Sequence, residues 1–126
     1  MNTTTGRTVT VPLPAMPYLN SNQRLHWATK ARRTRAIRDA AWYVTRALKE
    51  QPMEKAEITA VIHPKTNRRF DPHNFQPTVK AAIDGIVDAR LIADDDATRL
   101  VSVAFRAGEK DPSGTRIDLI VTEVAR

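Results

Sequence analysis

Two stretches of the chain alternate apolar with other residues, and two more, each following one of these, repeat apolar residues at intervals of three and four. In residues 7–13 (RTVTVPL) Val alternates with Thr, the pattern of a half-buried strand. Residues 57–63 (EITAVIH) do the same with Ile58, Ala60 and Ile62. Between them, residues 25–49 hold no Gly or Pro and repeat Ile37, Ala40, Ala41, Val44, Ala47 and Leu48 at helical spacing. That predicts a long amphipathic helix with one buried stripe. Pro12, Pro14 and Pro17 break the first strand into a loop over residues 14–23, and Pro52 ends the helical region. A second helix is expected where Phe75, Val79, Ile83, Ile86 and Val87 share a face, with Pro77 in its first turn and Asn74 as a cap or local turn former. Two strands near 100–106 and 115–123, joined through a hairpin-like EKDPSGT, close the chain.

The order β-α-β-α-β-β predicts two main helices packed against one small mixed sheet, an α/β or α+β fold. A chain of 126 residues suffices for one core, so residues 1–126 are expected to form a single domain. There is no cysteine, which excludes disulfides and thiolate zinc sites. Residues 1–11 lack the basic start and apolar run of a signal peptide, and no segment approaches membrane-spanning length. A soluble cytoplasmic protein without a membrane partner is the expectation.

Charge changes this picture. The net charge is +6, and it is concentrated: residues 24–38 carry Arg24, Lys30, Arg32, Arg33, Arg35 and Arg38 with no acid, whereas the other 14 basic residues balance the 14 acidic ones. A solvated basic helix face is the plain explanation. A local excess of this size favours a polyanionic partner, most simply nucleic acid. Arg68 and Arg69, in the basic loop over residues 64–70, join the candidate DNA-binding set.

The acids are concentrated too. Asp71, His73, Lys80, Asp84 and the run Asp94, Asp95 and Asp96 fall within residues 71–96 of an otherwise basic chain. Pro72 stiffens the approach of Asp71 and His73 to the second helix. Lys80 and Asp84 are four apart, hence on one helix face, and Asp88 continues the row. Taken singly, these are an exposed i,i+4 pair, a turn aspartate and a solvated loop. Taken together beside a basic segment, they fit a divalent cation acting on a phosphodiester. Asp71 and Asp95 would carry Mg²⁺, and Lys80 would meet charge on the phosphate. For Asp71 and Asp95 to meet, the fold must bring the second helix's entry loop back near its exit loop, or a partner subunit must be recruited.

The stretch RRFDPHNFQPTVKAAIDGIVDARLIADDDATRLVSV resembles the RusA-type Holliday junction resolvases, whose core reads roughly Asp-x-Asp-Asn, then Lys-Ala-x-x-Asp, then Asp-Asp. Asp71 and Asn74 match the first block, Lys80, Ala81 and Asp84 the second, and Asp94 with Asp95 the last. The Pro-rich exit from the first strand, the run Asn20 to Arg24 and the basic helix extend the resemblance over nearly the whole chain. It implies a homodimeric, Mg²⁺-dependent endonuclease (Mn²⁺ being possible) that resolves four-way DNA junctions by paired symmetric nicks in a bacterial or phage-infected cell. Asp71 and Asp95, with Asp94 beside them, are then metal ligands, Lys80 the catalytic lysine and Asp84 a lesser member of the site. A two-fold dimer suits two symmetric cuts.

His73 departs from the pattern, standing where the family has its second aspartate. It is a metal ligand favouring Mn²⁺, a general base on the attacking water, or the mark of a weakened site in a protein that binds junctions without cutting them. Participation at the site is preferred here. Trp27, Phe70 and Phe75 are candidates to stack on an unpaired base, with a core role favoured for Phe75. His26 and His63 are expected to be structural or phosphate-facing. The alternatives to a resolvase are a non-catalytic binder of structured DNA and a related flap or fork nuclease.

Overall fold

A computed structural model describes residues 6–125; residues 1–5, part of the stretch in which no signal peptide is expected, and residue 126 lie outside it. The elements are β1 (Thr8–Leu13), α1 (Trp27–Leu48), β2 (Ala56–His63), a 3-10 turn (Pro72–Phe75), α2 (Gln76–Asp88), β3 (Leu100–Ala107) and β4 (Arg116–Glu123). The strands form one sheet in the order β1-β4-β2-β3. β4 runs antiparallel to both β1 and β2, while β3 runs parallel to β2. The expected small mixed sheet with two main helices is what forms. Among the described residues, no helix is long and apolar enough to cross a membrane.

One face of this sheet makes the core. Val11 of β1 and Ala60 of β2 are both register partners of Leu119, and Ile58 is the partner of Val121; all are buried. Their neighbours Thr10, Glu57, Thr59, Asp118 and Ile120 point to the other, wetter face. Val103 and Phe105 of β3, opposite Ile58 and Ala60, continue the helix-facing side to the sheet edge. A register shift at Ala56/Glu57 lets Leu100 stay buried opposite Ala56.

The hairpin expected between the last two strands does not form. β4 leaves the edge strand β3, passes the end of β2 and inserts between β2 and β1. Burial explains the choice: Ile117, Leu119 and Val121 are fully covered in the sheet centre, a place the sparsely covered β3 does not offer. The crossing is tight at Gly108, whose N–H donates to Ile62 O at 2.8 Å and where a Cβ would lie 2.6 Å from Val61 and 2.7 Å from the His63 ring. His63 is structural here: Nδ1 lies 2.9 Å from Glu109 O and Nε2 3.1 Å from Asp118.

The stripe on α1 is narrower than its periodicity suggests. Ile37, Ala41 and Thr45 are buried and Ala40 and Val44 half-buried, while Ala47 and Leu48 are exposed. α1 crosses α2 closely at Gly85, where a Cβ would sit 2.2 Å from the Arg38 carbonyl oxygen. α2 is buried over most of its circumference, at Thr78, Val79, Ala81, Ala82, Ile83, Gly85 and Ile86. The strip carrying Gln76, Lys80, Asp84 and Asp88 faces water, with Pro77 and Val87 half-buried.

Candidate active site and nucleic-acid interface

The approach to α2 is capped by Asp71 and not by Asn74. The Asp71 carboxylate accepts the His73 N–H at 2.9 Å, as the cap of the 3-10 turn, and Phe75 precedes α2 with no side-chain cap. Asn74 acts through its backbone, its carbonyl accepting the Ser21 N–H at 2.8 Å. One turn into α2, the buried Thr78 hydroxyl donates to Leu19 O and accepts the Leu19 N–H, both at 2.7 Å. These bonds hold the Pro-rich loop after β1 against the start of α2. A cavity of about 190 Å³ at that junction has Arg24, Lys30 and Pro77 on its wall, so part of the basic segment abuts the acidic stretch.

His73 is held twice. Its Nδ1 lies 3.3 Å from Asp71 Oδ1, and its ring lies on Phe105 of β3, centroids 4.8 Å apart and planes 35° from parallel. A carboxylate only accepts, so Nδ1 is the donor in this contact and Nε2 is left for another partner. Asp71 and His73 are both well exposed, at 62% and 70% of their side-chain surface.

Lys80 organises the second group. Its ammonium donates to Asp84 at 3.0 Å and to Asp95 at 2.6 Å. The Asp95 bond, then that of Asp84, raises the Lys80 pKa, and Lys80 in turn lowers that of Asp95. Two of the three ammonium N–H groups are thereby used and one remains for another acceptor. Asp95 thus reaches α2 from the loop beyond it, and meets Lys80 there. Asp94 stands beside Asp95, its carboxylate accepting the Asp95 N–H at 2.7 Å. Asp96 is occupied by Thr98, which lowers its pKa. Asp88, in the same helical row, turns instead to Arg38, at 2.6 and 3.0 Å.

The two groups flank one groove. Gln76, Val79, Lys80, Asp95, Val103 and Phe105 line a cavity of about 230 Å³ between α2 and β3, and Phe105 is the residue on which His73 rests. Neither Phe105 nor Gln76 stands out in the sequence. The alternation of strand 100–106 marks Phe105 as facing one side, but its place opposite α2 depends on a parallel pairing across the chain.

A metal ion fits one chain poorly. Asp71 and His73 stand together, while Asp84 and Asp95 are already held by Lys80. Among the described residues, no three His, Cys, Asp or Glu side chains are grouped to hold an ion. One chain alone therefore does not supply the site that the resemblance implies.

The cations are at the surface. Arg24, Lys30, Arg32, Arg35, Arg38, Arg68 and Arg69 are exposed, and Arg33 is half-buried. Phe70 and Phe75 are half-buried, packed on the core and edge-to-face with each other at 6.5 Å, whereas Trp27 is 76% exposed. His26 caps α1, its Nδ1 accepting the Ala28 N–H at 3.2 Å. Compared with known proteins, the sequence matches no family model and no curated protein.

Proposed function

We propose that the protein is a structure-selective endodeoxyribonuclease of the RusA type, a homodimer that nicks four-way DNA junctions in a bacterial or phage-infected cell. The observation that carries this reading is the convergence of Asp95 and Lys80 with the Asp71–His73 pair on the groove between α2 and β3. The exposed cations beside it, and the ordered resemblance of residues 71–96, support it further. Phosphate contacts by Arg24, Lys30, Arg32, Arg33 and Arg35 would give salt-dependent binding, and Arg68 and Arg69 would extend the track. The third Lys80 N–H is available to a phosphate oxygen, where its charge opposes charge that builds up during attack. Dependence on Mg²⁺ or Mn²⁺ is part of the proposal and calls for donors from two copies, because the described residues of one chain gather too few.

That same shortage favours a second reading, a non-catalytic binder of branched DNA. The two separate on labelled four-way junction, flap and linear duplex incubated with Mg²⁺, Mn²⁺ or EDTA. Symmetric nicks on the junction that EDTA abolishes are expected. Junction binding with no cut under any metal would leave only the binder, and equal cutting of flaps would assign a flap or fork nuclease.

A further inference from the structure

Trp27, the first residue of α1, has the most exposed of the large apolar side chains, at 76%. An indole left in water forgoes the largest burial gain of any side chain. The His26 ring beside it, centroids 5.5 Å apart and planes 33° from parallel, is fixed by its bond to the Ala28 N–H. Together the two rings form an aromatic ledge at the end of the helix.

Beyond the ledge the helix is positive. Lys30, Arg32, Arg33 and Arg35 occupy the first half of α1, whose first turn holds no acid. Lys30, in that first turn, opposes the helix dipole, where a helix selected only for stability would carry an acid. No residue of this half is fully buried, the first being Ile37, so packing does not demand these side chains. Trp27, Lys30, Ala31, Thr34 and Arg35 line one open groove of about 840 Å³ whose far end carries Arg38, Asp39 and Asp88. Arg38 is neutralised by Asp88. Lys30 and Arg35 make no ion pair among the described residues. A flat apolar face with two uncommitted cations beyond it is complementary to a base and its adjoining phosphates. The volume is that of a small-molecule site, enough for a nucleotide.

We propose that Trp27 is a stacking platform for an unpaired base of a DNA strand, with the neighbouring phosphates on Lys30 and Arg35. A base inside an intact duplex has both faces covered and cannot use the platform, so the site favours single strands and branch points over duplex. This rests on the nucleic-acid half of the proposed function and not on cleavage.

The test is binding in EDTA, by anisotropy, of a labelled single strand, a four-way junction and a matched duplex. Trp27→Ala is expected to weaken single-strand and junction binding about tenfold while duplex binding changes by less than about twofold. Trp27→Phe is expected to keep most of the affinity, and single strand to quench the tryptophan emission of a Trp42→Phe chain. Unchanged thermal unfolding of Trp27→Ala confirms that the fold is intact. Equal losses on all three DNAs, no loss on any, or no binding by the unsubstituted chain would each overturn the proposal. A Trp27 effect in a protein that never nicks DNA would retain this site and remove the nuclease, while nicking that Trp27→Ala leaves unaltered, with binding unaltered, would do the reverse.

Discussion

The His73 imidazole rests on the Phe105 ring, 4.8 Å between centroids, and this contact ties the turn before α2 to the edge strand of the sheet. It sets the Asp71–His73 pair beside the groove that holds Lys80 and Asp95. An aspartate at 73 would present carboxylate oxygens, which Mg²⁺ prefers, where an imidazole suits Mn²⁺ better. His73→Asp is therefore expected to raise junction nicking in Mg²⁺ relative to Mn²⁺. An unchanged ratio would mark His73 as a bystander.

Thr78 is fully buried and satisfies both backbone groups of Leu19. Thr78→Val keeps the shape but leaves a buried N–H and a carbonyl without partners, at about 1–3 kcal/mol for each unsatisfied group. Urea unfolding should show a loss of about 2 kcal/mol or more, with Thr78→Ser much milder. A midpoint close to that of the unsubstituted chain would show that the loop is not held there.

At Gly85 the obstacle is the backbone. A methyl would lie 2.2 Å from the Arg38 carbonyl oxygen and 2.9 Å from the Ala41 methyl, so α1 and α2 must move apart. Gly85→Ala is expected to cost about 1–3 kcal/mol, as overpacking does, with a lowered thermal midpoint. No shift would mean that the two helices slide freely.

Asp111 reports on the turn into β4. Bonds from Ser113 and then Arg116 depress its carboxyl from 3.8 to about 2. A depressed folded pKa contributes stability that is full above the unfolded value and is lost as pH falls through the folded one, here from about 4 to about 2. Asp111→Asn should flatten the acid limb of stability in that window and leave its slope at neutral pH unchanged. An identical acid limb would contradict the assignment.

Much of the architecture was legible because burial imposes periodicity: β1, β2 and α2 each show their inward residues at the period of their element. Local chemistry also read correctly at Lys80 and Asp84, which need only one helical turn to meet. What escaped depended on pairing between distant segments. The insertion of β4 between β1 and β2 is invisible in EKDPSGT, which reads as a local turn whichever strand comes next. Phe105 could be placed only through its pairing with Ala60. Thr45 and the exposed Leu48 show the same limit on α1, where the packing of distant elements, α2 above all, decides which positions are covered.

The most direct measurement tracks binding and strand cleavage of one labelled four-way junction in the same samples, for the unsubstituted chain and Asp95→Asn, with Mg²⁺ and with Mn²⁺. Losing the Asp95 carboxylate leaves Lys80 bonded to Asp84 alone and keeps the cations of α1 in place. Paired symmetric nicks by the unsubstituted chain, abolished in Asp95→Asn with gel-shift binding retained, are expected. Equal nicking by both chains, or binding by both with no metal-dependent nick, would contradict a nuclease built on this groove.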